Sequence, residues 1–552
     1  MHQNFQTKIV PSTGYHMRFW PISRLFTHHN LCTSHLLSLT RTISTEMSHP
    51  TLPLLLSSSL LPLLPSTFLP NHFSVTDKSY VVSGEEISRE EYPNLLVIAT
   101  GKASTSMVDS LGSSLSSLGP SESSILCVTK PETKTTSQLP LSCFRILHAS
   151  HPVPSQSSID AGREVLNAVS SCKSTLILYL LSGGTSSLCT VPVPSLSIAD
   201  LQSAVSHLLN SGATITQMNK IRTAIDEYKG GGVARRALDD PGRNRNNLLR
   251  TLVVSDVIGD DVRTIGSGPT VITSTYSIPD ASDKDGMDGM TPDEIWRSFN
   301  GDQDGPIASV LRSSSNKKKN SKKNSSPPGG YKHPTIVSRN SDAVDSLRER
   351  LEEGGYDVKV IGEGVEGEAV EVGQELVRRA LREWEDEKGG KGGKGGKGGK
   401  GGGGTDIEME METELEGKEG RKCRKCAYIA GGETTVTLNS GKTEKIGKGG
   451  RNTHMCVSAM LHIGELEMNG TVNKGTKVLF GCLGTDGNDG VTDAAGGWGE
   501  GIVCEERRDV ARRCLGDFDS YSYLEKYGGV IKTGPTGTNV ADVMCVIVEE
   551  KE

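Results

Sequence analysis

Leu95-Leu-Val-Ile-Ala99, running straight into Thr100-Gly101-Lys102, is the stretch that decides the fold. A short unbroken apolar run is what a strand buried on both faces needs, because water reaches neither side of it. Glycine then breaks the run. Beyond it Met107, Leu111, Leu115 and Leu118 recur at spacings of four, four and three, which is one face of a helix. Strand, glycine turn and helix make half of a βαβ unit.

The cycle repeats outward from there. Ser124-Ile-Leu-Cys-Val128 reads as a strand, and Thr175-Leu-Ile-Leu-Tyr-Leu-Leu181 as a stronger one ending in Ser182-Gly183-Gly184-Thr185-Ser186-Ser187. A helix is expected over Ile198 to Asn210, and Leu252-Val-Val-Ser255 is a further strand that meets Asp256. Strands alternating with helices imply a mostly parallel sheet covered on both faces, and such sheets bind ligands beyond the carboxyl ends of their strands. The glycine clusters fall at those ends.

The sequence divides into six stretches. Residues 1–46 are basic and rich in Ser and Thr, with no acid before Glu46, the composition of a transit peptide, with a disordered tail as the alternative; mitochondrial targeting is expected, with plastid or cytoplasmic location as alternatives. Residues 50–278 form a first domain. The leucines between Leu52 and Pro70 are too often interrupted by proline to span a bilayer, so no membrane partner is expected. Residues 279–333 and 388–425, the latter holding Lys-Gly-Gly repeats and an acidic run, read as solvated inserts whose composition cannot bury a core. Residues 334–387 form an α/β segment that links to, or belongs to, a last domain at 426–548.

A net charge of -7 argues against nucleic acid as a partner. The cysteines are scattered, and Cys423 with Cys426 lacks the second pair a zinc knuckle requires.

Standard nucleotide motifs are missing. Gly441-Lys442-Thr443 ends like a phosphate-binding loop, but Val436 stands where its first glycine belongs. The ingredients of phosphoryl transfer are nevertheless present: backbone cradles, fixed cations and carboxylates. The loop from Ser182 to Ser187 offers two glycines and hydroxyl donors to an anion; an ordinary tight turn is the alternative. Lys102, at a strand-to-helix turn, either meets an anion or is a solvated lysine. Arg451 projects from Gly449-Gly450-Arg451-Asn452, a setting that suits bidentate binding of carboxylate or phosphate. Asp486, Asp489 and Asp493 lie in a glycine-rich loop after Val478-Leu-Phe-Gly-Cys482, and Asp256 is followed by Asp260 and Asp261. These carboxylates are candidate Mg²⁺ ligands or turn caps.

At these same positions the sequence resembles the glycerate 2-kinases that join a Rossmann-like domain to a MOFRL domain. The strings that carry the likeness begin with Thr100-Gly-Lys-Ala103, His151-Pro-Val-Pro154 and Leu181-Ser-Gly-Gly184. Ser211-Gly-Ala-Thr-Ile215 with Met218-Asn219, Lys229-Gly-Gly231, and Ser255-Asp-Val-Ile-Gly-Asp-Asp261 through Gly266-Ser-Gly-Pro-Thr270 follow. Gly431-Gly-Glu-Thr-Thr-Val436, Gly447-Lys-Gly-Gly-Arg-Asn452, Gly484-Thr-Asp-Gly487 with Thr492-Asp-Ala-Ala-Gly496, and Thr533-Gly-Pro-Thr-Gly-Thr-Asn539 complete the set, in family order.

The resemblance implies two α/β domains, a Rossmann-like mostly parallel sheet and a MOFRL-type domain, with the active site in the cleft between them. It implies transfer of the ATP γ-phosphate to D-glycerate, giving 2-phosphoglycerate, with Mg²⁺. Lys102 and Arg451 would be the catalytic cations. Ser182, Gly183, Gly184, Thr185, Ser186, Asn219, Glu433 and Asn452 would bind phosphate or substrate, with Glu433 alternatively the base, and Asp256, Asp486 and Asp489 would hold the metal. Whether the chain forms a homo-oligomer is left open. The family usually continues Gln-Glu after Gly-Gly-Arg-Asn, whereas this chain has Thr453-His454, so an acid near Arg451 is lost. Two alternatives remain: a hydroxypyruvate reductase, a label relatives have carried but one that needs a dinucleotide fingerprint, or a silent sugar-acid binder that kept the cleft.

Overall fold

The computed structural model describes residues 51–119, 121–131, 144–238, 246–272, 290–320, 328–389, 424–438 and 447–550. The expected transit peptide and nearly all of the 388–425 insert lie outside the described residues.

A small antiparallel sheet, β1 (Phe73–Val75), β2 (Ser79–Val82) and β3 (Glu85–Ser88), precedes the main architecture. The first large sheet comprises β4 (Asn94–Thr100), β5 (Ser123–Thr129), β6 (Phe144–His148), β7 (Thr175–Leu181), β8 (Leu248–Val254) and β9 (Thr335–Ser338). All six are parallel, in the order β6-β5-β4-β7-β8-β9. Chain order therefore reverses between β4 and β7, opening a crevice at their carboxyl ends, the topological switch point of a doubly wound sheet. The central strand β7 is buried along its whole length, as its continuous apolar run demands. The helix face expected after Lys102 is inward: Met107, Leu111 and Leu115 are buried, although the helix is broken into Ser104–Ser110 and Gly112–Leu115.

The second large sheet is mixed. It contains β10 (Asp357–Val365), β11 (Lys425–Gly432), β12 (Thr476–Gly484), β13 (Gly496–Glu500), β14 (Val530–Ile531) and β15 (Asp542–Glu550), ordered β10-β11-β15-β12-β13-β14. Only β10 and β11 run parallel; the other pairings are antiparallel. Helices Ala369–Gly389 and Arg451–Met468 cover one face, and helix Asn340–Glu353 covers the other. The 334–387 stretch is thus divided, since β9 completes the first sheet while β10 begins the second.

Two features depart from the expectations drawn from composition. Within 279–333, helices Pro292–Ser298 and Pro306–Asn320 bury Ile295, Trp296, Ile307 and Leu311 against the helices at 198–224. A few large apolar side chains spaced along a polar segment are enough to dock it. The leucine-rich start is a strap between domains. Helix Leu52–Ser58 packs on β12, where Gly481 leaves room for Leu52 and Leu56. Among the described residues no single helix is long and apolar enough to cross a membrane.

Leu56 is fully buried at that contact. Leu56→Ala is expected to cost about 2–5 kcal/mol of stability, measured by denaturant unfolding. A loss below about 1 kcal/mol would show that the segment is only loosely attached.

Candidate active site

The switch point is built from two turns locked together. The Lys102 amide donates to the Gly183 carbonyl at 2.8 Å, and the Ala103 amide to Ser182 Oγ at 3.1 Å. Gly101 has φ +117°, and a Cβ there would lie 2.2 Å from Ser182 Oγ, so only glycine permits the approach. Beneath the loop, Thr185 Oγ1 donates to the Ser182 carbonyl and also meets Thr100 Oγ1, which is bonded to Tyr179 OH; that phenol pairs in turn with Tyr228. Ser182 and Thr185 are fully buried, and their hydroxyls are spent on this framework. They position the loop instead of offering donors to a ligand, which corrects the role expected of them.

What remains available is backbone. The amides of Gly183 and Gly184 have no hydrogen-bond partner among the described residues. Gly184 has φ +87°, and the site of its missing Cβ lies 3.2 Å from both the His151 ring and Lys102 Cγ. Ser186 Oγ meets Ser267 Oγ at 2.9 Å, and Ser267 donates to Asn219 Oδ1, so Asn219 braces the loop from behind.

Asp256 follows β8 and presses on Gly183: a Cβ on Gly183 would stand 1.6 Å from Asp256 Oδ2. Burial raises the Asp256 carboxyl's pKa, with Lys102 pulling the other way. Two contacts bring the second domain over this point. Asn539 Nδ2 donates to Asp256 Oδ2 at 2.8 Å, and Lys102 Nζ pairs with Asp486 Oδ2 at 3.4 Å.

Arg451 opens the helix Arg451–Met468. Its Nε and Nη2 donate to the two oxygens of Asp542 at 2.5 and 2.8 Å, and its Nη1 lies 2.8 Å from Glu433. Burial opposes the charge, but Asp542 and then Glu433 outweigh it and hold the guanidinium's pKa above its ordinary value. Burial pushes the Glu433 carboxyl up to about 7, against the pull of Arg451.

Other expected residues lie elsewhere. Asp489 is 1 % exposed and caps the same helix, accepting from the Asn452 and Thr453 amides and from Thr453 Oγ1 at 2.7–2.9 Å. Both its oxygens are committed, so it is a helix cap and not a metal ligand. Asn452 is enclosed beside Gly484, and its amide atoms lack partners among the described residues. Asp493 pairs with Lys532, Asp261 with Arg263 and Asp260 with Arg339. Among the described residues no three His, Cys, Asp or Glu side chains form a metal cluster.

Sequence reasoning missed His151, Asn539 and Asp542 as site residues. His151 and Asn539 lie within the strings that carry the family resemblance; Asp542 is legible only as an acid opening an apolar strand. His151 is kept neutral, since burial and then Lys102 hold its pKa down to about 4. His454, at the position where the resemblance led to the expectation of an acid, stacks on Phe518 at 5.8 Å between ring centroids. Arg451 draws its carboxylates from Asp542 and Glu433 instead.

The fold and cleft are those of a two-domain α/β enzyme. Residues 52–298 match a domain of unknown function, DUF4147, and residues 426–542 match the MOFRL family. The chain is 31% identical over 387 residues to a glycerate kinase of Rattus norvegicus, covering 67% of each chain. It is 30% identical over 463 residues to a putative hydroxypyruvate reductase of Agrobacterium vitis, covering 82% of this chain and 99% of that one. A crystal structure of a glycerate kinase from Thermotoga maritima superimposes with a TM-score of 0.62 at 24% identity, over 93% of this chain and 100% of the other. The chain belongs to the glycerate 2-kinase family of enzymes.

Gly183→Ala is expected to push Asp256 out of place while leaving the strand core intact. Turnover should fall by on the order of 10²-fold with an unchanged circular dichroism spectrum. Full activity would mean that Asp256 need not sit against the loop.

Proposed function

We propose that the chain transfers the γ-phosphoryl group of ATP to the 2-hydroxyl of D-glycerate, giving ADP and 2-phosphoglycerate. The observation that carries this reading is that Lys102, from the first domain, and Arg451, from the second, both lie near enough to act on the Asp256 carboxyl, which presses on a loop of unpartnered amides at the switch point. Phosphoryl transfer spreads negative charge over the moving group, and fixed cations and amides stabilise that charge.

In this scheme the amides of Gly183 and Gly184 and the ammonium of Lys102 hold the phosphate oxygens. Arg451, aimed by Asp542, balances the charge at the acceptor end. The glycerate 2-oxygen attacks the γ-phosphorus, the bond to the β-phosphate oxygen breaks, and the hydroxyl proton passes to Glu433. A carboxyl raised to about 7 suits that exchange near neutral pH.

Mg²⁺ fits Asp256 and Asp486, two oxygen donors flanking Lys102 and near enough that the charge of Asp486 also raises the Asp256 pKa. Magnesium commonly takes one or two carboxylates and completes its shell with substrate phosphates and water. When bound, it would neutralise phosphate charge.

Two observations weigh against the alternatives. The reductase reading lacks a G-x-G-x-x-G turn after any strand of the first sheet. The silent-binder reading rested on the lost acid at Thr453-His454, and Arg451 keeps two carboxylates without it.

The test is ³¹P NMR of D-glycerate with Mg-ATP and the purified chain. A 2-phosphoglycerate signal is expected; 3-phosphoglycerate would move the acceptor oxygen, and no ATP turnover would overturn the proposal. Lys102→Ala should lower kcat/KM by on the order of 10²-fold or more. Glu433 must be ionised to accept a proton, so kcat/KM should rise through pH 7 and level off above it. Glu433→Gln should abolish that acid limb, and a limb that survives the substitution would assign the proton elsewhere.

A further inference from the structure

Beside the switch point lies a cavity of about 380 Å³ that the scheme above does not use. It opens on Ser186 and Ser187, the far end of the same loop, and runs between His151's neighbours Pro152, Val153 and Pro154 and the helix Ile198–Asn210. Leu201, Val205 and Ile225 supply further apolar wall. Gln202 bridges the two sides by donating to the Pro154 carbonyl at 2.6 Å.

Three features say what such a space takes. Its volume falls in the range of small-molecule sites, and a three-carbon acid would fill only a fraction of it. Its walls are mainly apolar, which suits a ring system and not a small carboxylate. Arg222, on the wall, has no hydrogen-bond or ion-pair partner among the described residues, although burial depresses its basicity. A planar guanidinium without a carboxylate partner is suited to stack on an aromatic ring. Val153, at the rim, is 61 % exposed, a large apolar side chain left uncovered. The floor is firm: Lys229 is paired with the buried Asp226 at 2.5 Å, and Asp226 also accepts from the Val191 and Tyr228 amides.

We infer that this cavity is the nucleoside subsite, taking the base and ribose of the nucleotide while its phosphates run along Ser186 and Gly184 to Lys102. This rests on the kinase reading for the identity of the ligand. The segment His151–Pro154 links the two parts, since the His151 ring stands 3.2 Å from where a Cβ on Gly184 would lie and the following residues line the cavity. Acceptor and donor would then enter from different sides, glycerate from the face of the second domain and the nucleotide from the helical side of the first.

The test is to fill the cavity. Val205→Trp, and Ser206→Trp at an exposed position of the same helix in case the first disturbs packing, are compared with Arg222→Ala. Each is expected to raise the KM for ATP by about tenfold or more while the KM for D-glycerate stays within about twofold. In parallel, ADP is titrated calorimetrically into each protein, which needs no turnover. Weakened ADP binding in the variants supports the subsite even if the wild type fails to phosphorylate glycerate, so the two readings fail separately. A raised KM for glycerate with unaltered ADP affinity would make the cavity the acceptor's. Unaltered affinity for both in a folded Trp variant would overturn the inference.

Discussion

The pair between Arg451 and Asp542 is the constraint around which the cleft is arranged. Asp542 is fully buried where β15 begins, in the middle of the second sheet, and a lone carboxylate there would be costly. Arg451 supplies the compensating charge through two hydrogen bonds, and in doing so its third nitrogen is turned to Glu433. Removing one partner of such a pair typically costs about 3–5 kcal/mol, because the other is left buried and unpaired. The arginine's direction is therefore fixed by the core of its own domain. Asp489 fixes the helix that carries it, and Gly450 is required there because a Cβ would stand 2.4 Å from the Asp489 carboxylate.

The same economy holds in the first domain. Ser182 and Thr185 do not present hydroxyls to a ligand; they tie the glycine loop to β4 and β7, so that two amides and Lys102 stand at the switch point without further support. Asp256 and Asn539 then join the two halves across the cleft. Each domain presents one cation on a rigid turn, and catalysis by charge stabilisation requires that kind of preorganisation.

Much of the fold was legible because apolar periodicity reports burial directly. The runs at Leu95–Ala99 and Thr175–Leu181 became central strands, and the helix at Ile198–Asn210 falls where its pattern placed it. What composition hid were the places where few apolar residues do the docking, as at Ile295 and Trp296, and where a proline-broken leucine segment packs on a different domain. The strand order could not be read from local pattern, since it depends on contacts remote in sequence. For the site, glycine strings located the loops, but not which donors each loop spends on itself. Asp486 and Asp489 sit three residues apart in one loop and look alike in sequence. One faces Lys102 and the other disappears beneath a helix.

The claim that Asp542 acts only by holding Arg451 has a direct measurement. It is kcat/KM for D-glycerate in Asp542→Asn, Arg451→Ala and the double variant. If the two residues form one unit, the double variant should be no more than about threefold worse than Arg451→Ala alone. Losses that multiply would contradict it, and would give the buried aspartate a role of its own.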